Sequence, residues 1–210
     1  MRIATWNLAG SWSDAHAELI DSLDADVLLL TEVSNNLELD DYSLHCTSAS
    51  MTARHTWAAV GSREALTRLS EPHFATALAR CQGWTFASSI LPWRGGGTEL
   101  YGEGRTFDKT TRTIETLLAA LPRERLIWGG DWNHALSGRE YAGSMGGRTC
   151  LLAALDALGL GVPTAELPHR IEGLLSIDHI AVPAGVEASA TRVEAAGLSD
   201  HDAYVVEFSA

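Results

Sequence analysis

The chain has 210 residues, 46% of them hydrophobic and 20% charged, with a formal net charge of −12. That length suits one domain, residues 1–210, able to bury a core without disulfide or metal staples. The acidic balance argues against broad nonspecific binding to phosphate backbones, which relies on Lys and Arg releasing counterions, although a local basic patch or bound cation reverses the field at one site.

The first apolar run, Ile3 to Trp6, reads as a short strand that ends at Asn7. "SWSDAHAELIDSL" then reads as a helix, with Ser13 as N-cap, Asp14 in the first turn and Leu19, Ile20 and Leu23 on one face. "ADVLLLTEV" is a continuous apolar run ending at Thr31 and Glu32, as expected for a buried strand. "HTWAAVGS" and "HFATALAR" read as strands, and "REALTRLSE" as a strand or a short helix. "GWTFASSILPW" is strand-like up to Leu91, and Arg94 to Gly104 forms a glycine-rich loop inside the domain.

Beyond that loop, Phe107, Ile114, Leu117, Leu118 and Leu121 follow helical spacing, and Pro122 ends the run. "ERLIWGGDWN" is another strand ending in polar residues. "TCLLAALDALG" is a helix with Leu151, Leu152, Leu155 and Leu158 on its apolar stripe and Gly159 as its C-terminal cap. Two late strands run around Ile177 to Val182 and Tyr204 to Phe208. Cys46, Cys81 and Cys150 are odd in number, far apart and without zinc spacing, which predicts a reduced intracellular protein. With no secretory leader and no apolar run of membrane-spanning length, a cytoplasmic location is expected.

Apolar strands repeatedly end in carboxylates, amides or imidazoles: Asn7, Glu32, Asp131 with Asn133, Asp178 with His179, and Asp200 with His201. A rigid sheet gathers such distant residues into one site. Asn7, Glu32, Asp131 and Asp200 offer only oxygen ligands, which suit Mg²⁺ with Mn²⁺ as substitute. Taken singly, Asn7 is more simply a strand-end cap and Glu32 a solvated edge residue. In "GGDWNH", Asp131 and Asn133 are two apart and would share one side of an extended segment, where an acid and an amide can align a water and donate to an oxyanion. The alternative there is an Asx-type turn. A proton-accepting histidine needs an acid to fix its tautomer. Asp178 is a candidate for that acid towards His201, while Asp200 points elsewhere, to a metal. His179 alternates to the other face as a structural residue, and Asp202 reads as a solvated turn residue.

"ATWNLAG", "LLLTEV", "GGDWNH", "SIDHI" and "LSDHDAYVVEF", in that order across residues 3 to 208, resemble the endonuclease/exonuclease/phosphatase superfamily. The resemblance implies an α/β fold, the four-layer α/β/β/α sandwich called DNase I-like. It implies a metal-dependent phosphoesterase in which Asn7 and Glu32 hold Mg²⁺ with Asp200 close by. Asp131 would position or activate water, Asn133 would contact the scissile phosphate, and His201, oriented by Asp178, would polarise or protonate the phosphate or take a proton. Two departures stand out. Pro92 or Trp93 occupies the place of a phosphate-contacting His or Tyr, with Arg94 as a candidate substitute. Ala9 stands where some relatives carry a further acid, which weakens a two-metal reading.

Arg94, Arg105, Lys109 and Arg112, with Trp12, Trp93 and Trp132 beside the motifs, suit phosphates and bases. The alternative is that the tryptophans are core. Nuclease action on DNA or RNA is placed ahead of hydrolysis of a small or lipid-derived phosphoester, and ahead of a non-catalytic binding module. No protein partner is implied.

Overall fold

A computed structural model describes residues 1–96 and 99–209. Gly97 and Thr98, inside the expected glycine-rich loop, lie outside the described residues. The elements are β1 (Arg2–Asn7), α1 (Asp14–Leu23), β2 (Val27–Ser34), β3 (Ser43–Cys46), β4 (His55–Ser62), β5 (Thr67–Arg68), β6 (Thr76–Cys81), β7 (Trp84–Ser89), α2 (Thr106–Ala120), β8 (Leu126–Asp131), α3 (Met145–Leu158), β9 (Leu160–Gly161), β10 (Asp178–Pro183), β11 (Ala188–Val193) and β12 (Ala203–Phe208). A 3-10 turn at Glu99–Tyr101 precedes α2.

One sheet has the order β11-β12-β1-β2-β4-β3, and the other β5-β6-β7-β8-β10-β9. In each, a motif-bearing strand lies between a parallel and an antiparallel neighbour: β1 between β2 and β12, and β8 between β7 and β10. The period-2 alternation of a strand divides the apolar residues among three layers. Ile3, Leu29, Ile127, Ile180 and Val182 face inward and pack between the sheets. Ala4, Trp6, Leu28 and Leu30 face outward under Ile20 and Leu23 of α1. Leu126, Trp128 and Ala181 face outward under Ile114 and Leu117 of α2 and Leu151 and Leu155 of α3. The result is the expected helix–sheet–sheet–helix sandwich. Continuing the alternation, Asn7, Asp131 and Asp178 take inward positions at strand ends, so they meet at one mouth of the inter-sheet seam.

Gly129 and Gly130 make the seam possible. A Cβ on Gly129 would meet the carbonyl of His179 and the Leu29 side chain of the opposite sheet, and one on Gly130 would collide with the Ser89 backbone. Gly130 also has φ +118°, where side chains are strained.

The structure departs from the sequence reading in several places. β3, β5, β9 and β11 are short or half-exposed strands without a clear apolar pattern. The stretch that read as strand or short helix contains only Thr67–Arg68 in a strand. α3 begins four residues before Thr149, at Met145, with Ser144 as cap accepting the Gly147 N–H. Leu152 and Phe107, expected on apolar stripes, are 43% and 40% exposed. Asp202 is not solvated: it is buried, paired with Arg192 at 2.7 Å and accepting the Ala195 N–H.

The glycine constraint has a measurable consequence. Gly130→Ala should lower unfolding free energy by roughly 3 kcal/mol, through backbone collision plus strain. Gly185→Ala, at φ +85° with open space around it, should cost only about 1 kcal/mol. Urea denaturation of both variants checks the difference; equal losses would refute the close-approach account.

Candidate active site

The site is built at the carboxyl ends of β1, β2 and β8 and in the loop before β12. Asn7 is fully buried, and its side-chain amide donates to Glu32 Oε1 at 3.1 Å and to Asp131 Oδ2 at 3.0 Å. The second bond crosses from one sheet to the other. The Asn7 side-chain Oδ1 accepts the Ala9 N–H at 2.9 Å. Asn7 therefore holds two carboxylates in place, and its Oδ1, with one lone pair on the Ala9 N–H, keeps the second for a cation.

Glu32 sits within β2 yet has φ +48°, a left-handed conformation rare for a non-glycine residue. Its carbonyl accepts the Gly10 N–H and that of Thr31 accepts the Leu8 N–H, both at 2.9 Å, which fastens the β1–α1 loop over the end of β2. Asn133 also has a positive φ, +54°, and its N–H donates to Asp131 Oδ1 at 3.1 Å. β8 ends at Asp131, so the two residues do not share one side of an extended segment. The Asx-type turn is what forms, and it still brings Asn133 to the cleft. One amide N–H of Asn133 is spent on the Leu91 carbonyl at 3.1 Å.

His201 comes from the loop before β12. Ser199 anchors that loop: its hydroxyl donates to the Asn7 carbonyl at 2.7 Å and accepts the His201 N–H at 3.0 Å. Trp6 Nε1 donates to the His201 carbonyl at 3.1 Å. The imidazole Nδ1 meets Asp178 Oδ2 at 2.7 Å, a second link between the sheets. Asp178 is 1% exposed and its Oδ1 has no protein partner among the described residues. Asp200 is exposed on the rim. Glu32, Ile90, Trp93, Asp131, Asn133, Asp200 and His201 line a cleft of about 210 Å³.

Electrostatics follow from burial. Asp131 is pushed up to about 7, first by desolvation and then by the Asp178 charge. Burial works against the charged form of His201, but Asp178 and Asp131 outweigh it and raise the imidazole to about 10. Asp131, Asp178 and His201 have donor atoms within 4.8 Å of one another. Two of the three are already bonded to each other, so the group reads better as an acid–imidazole pair beside a carboxylate than as a closed metal cage.

A divalent cation nevertheless suits the cleft. Its donors are hard oxygens, Glu32, Asp131 and Asp200. Burial first, and the Asp178 charge second, disfavour the ionised Asp131 carboxyl, and a cation in the cleft would offset both.

Other expected residues fall elsewhere. Arg94 is exposed and turns its guanidinium to the Gly143 carbonyl at 3.3 Å, outside the central cleft, whereas Trp93 lines it. Trp132 is completely buried against Trp128, with ring centroids 4.6 Å apart, so it cannot stack on a base. Arg112 bonds the carbonyls of Tyr101 and Glu103, and Lys109 that of Gly96, so both brace their own loop. His179 is structural, held by Thr164 and by the His134 carbonyl. The sequence reading missed His169, buried with its ring 6.3 Å from His201; nothing in its local sequence marks it. Ser199 was legible only as part of the motif around His201.

Comparison with known proteins bears on the fold and the family. An AP endonuclease from Archaeoglobus fulgidus has a TM-score of 0.73 at 18% identity, covering 100% of both chains. The endonuclease domain of TRAS1, a telomere-specific non-LTR retrotransposon, has a TM-score of 0.68 at 18% identity, covering 100% of this chain and 98% of that one. A humanized D. rerio TDP2 has a TM-score of 0.60 at 13% identity, covering 100% of this chain and 99% of that one. At such identities the likeness is one of fold. No curated protein matched the sequence. The model of the endonuclease/exonuclease/phosphatase family matches residues 4–201, nearly the whole chain. The chain belongs to the endonuclease/exonuclease/phosphatase family.

Proposed function

We propose that this chain is a divalent-cation-dependent phosphodiesterase acting on nucleic acid. The observation that carries the reading is the His201–Asp178 pair facing Asp131, Asn133 and Glu32 across one cleft. Family membership and structural neighbours that are an AP endonuclease and a retrotransposon endonuclease domain support phosphodiester chemistry.

Glu32 and Asp200, with the Asn7 Oδ1 beside them, would hold the cation, which would neutralise phosphate charge and polarise the ester, while Asp131 would face it as the group that handles the water. Mg²⁺ is the expected ion, with Mn²⁺ able to use the same donors. Asn7 keeps Glu32 and Asp131 at fixed spacing. Asp131 orients the attacking water and accepts its proton. Asn133 presents its second amide N–H to a phosphate oxygen. His201, with Nδ1 committed to Asp178, turns Nε2 to the phosphate as a cationic donor. The pairing assigns opposite roles to the two groups: the imidazole holds its proton up to about pH 10, while Asp131 releases its own near 7.

Purified protein should cut at least one of supercoiled plasmid, abasic duplex or single-stranded RNA with Mg²⁺ and none with EDTA. Asp131→Asn and His201→Ala should each lower kcat about a thousandfold. Turnover of a chromogenic phosphodiester alone would instead support a small phosphoester substrate, and no turnover of any substrate would sink the proposal.

Without a cation, two groups erode stability as pH rises. Asp131, raised above its unfolded value near 3.8, contributes fully below that value and loses its contribution as pH passes about 7. His201, raised above 6.5, contributes fully below that value and loses it through about 10. Cation binding should therefore raise Tm more at pH 8 than at pH 5. At a hundredfold excess over Kd the shift should be roughly 5–10 °C, corresponding to about 2.7 kcal/mol. Glu32→Ala should abolish it. Thermal melts with and without Mg²⁺ decide, and an equal shift at both pH values would contradict the assignment.

A further inference from the structure

We propose that two pockets flanking the catalytic cleft complete a short track for a single-stranded nucleic acid, with one aromatic ring and at least one arginine on each side of the scissile phosphate. The proposal rests on the nuclease reading above and names the form of its substrate.

The first pocket, about 330 Å³, includes Gly10, Trp12, Asn35, Asn36 and Arg54. It adjoins the cleft through Glu32, whose carbonyl accepts the Gly10 N–H. Its rim is ordered by short bonds: Asn35 donates its N–H to the Arg54 carbonyl at 2.9 Å and its side-chain amide to the Ala53 carbonyl at 3.3 Å. The Trp12 ring is half-buried and leans on His16 at 5.9 Å between centroids. Arg54 is exposed and makes no ion pair among the described residues.

The second pocket, about 390 Å³, includes Arg94, Arg105, Phe107, Gly143 and Gly146. It adjoins the cleft through consecutive residues, since Trp93 lines one and Arg94 the other. Arg94 is held there at both ends, by its N–H on the Ala142 carbonyl at 2.6 Å and its guanidinium on the Gly143 carbonyl. Phe107 stays partly exposed at this pocket because Gly146 has no side chain; a Cβ there would come within 2.6 Å of its ring.

Each flank thus pairs a flat ring with a guanidinium, the combination that stacks an unpaired base and neutralises its phosphate. The chain carries 15 Lys and Arg against 27 Asp and Glu. A duplex reader would need many phosphate contacts spread over its face. Here Arg54, Arg94 and Arg105 stand exposed at the pockets themselves, Arg105 with its Nε on Asp108 and Arg94 with one N–H on the Gly143 carbonyl, each guanidinium keeping further N–H donors for a phosphate, which suits a few nucleotides of single strand rather than a long duplex.

The test is fluorescence anisotropy of a labelled nine-nucleotide oligothymidylate with the His201→Ala protein, which leaves the strand uncut. Affinity should rise from a dinucleotide to a pentanucleotide and then level off. Arg54→Ala, Arg105→Ala and Phe107→Ala should each weaken nonamer binding about tenfold. Three arginines predict a log–log salt slope of about −2 for a single strand. With the wild-type protein, the Arg54 and Arg105 variants should lose more kcat/KM on the nonamer than on the dinucleotide. Circular dichroism of each variant separates lost contacts from lost folding. Equal affinity for dinucleotide and nonamer, unaltered binding in folded variants, or preference for duplex with a slope steeper than about −4 would overturn the track. Hydrolysis without length dependence would remove the track and leave the nuclease reading standing. Binding with the predicted length dependence but no hydrolysis by wild-type protein would do the reverse.

Discussion

The buried amide of Asn7 is the interaction on which the rest of the site depends. It donates to a carboxylate of its own sheet and to one of the opposite sheet, so the two sheets meet in one register at their mouth. A buried carboxylate without donors is costly, and two facing each other repel. A single side chain with two N–H groups relieves both problems. Asp or Leu at position 7 could supply neither donor.

The same seam carries the second cross-sheet link, from His201 to Asp178. Its geometry descends from small residues. Ser199 anchors the His201 loop to the β1 backbone, and Gly129 and Gly130 let β8 approach its neighbours closely enough for Asp131 to face Asn7. Packing and chemistry are therefore coupled: loosening the glycine contact would move an acid away from its partners, and the left-handed Glu32 and Asn133 mark where the backbone is held in tension beside them.

On the proposed function, charge explains how an acidic protein would serve an anionic substrate. The carboxylates crowd into one cleft, where a bound cation would change the sign of the local field. The cations that remain useful lie outside it. Arg112 and Lys109, which looked like phosphate ligands in sequence, turn their N–H donors to backbone carbonyls of their own loop and line neither flanking pocket. Arg54 drew no attention in the sequence, because its relation to Trp12 arises only when the loops after β1 and before β4 fold together.

The sequence by itself determined the main strands and helices and the chemical inventory of the site, while the layered arrangement was implied only by the family resemblance. Continuous apolar runs in the strands and a 3.6 period in the helices report burial directly, and polar residues closing such runs stand out locally; hence β1, β2, β8, α2 and the motif residues were legible. The tertiary structure alone decided matters that depend on neighbours distant in sequence. β3, β5, β9 and β11 bury too little to leave a pattern and exist because an adjacent strand offers hydrogen bonds. Asp202 is buried because Arg192 is there to pair with it, and Trp132 is core because Trp128 and His179 enclose it. Arg94 points out of the catalytic cleft because the Gly143 carbonyl lies on the other side. Periodicity reports how much of a side chain is hidden; only the assembled fold specifies which group hides it.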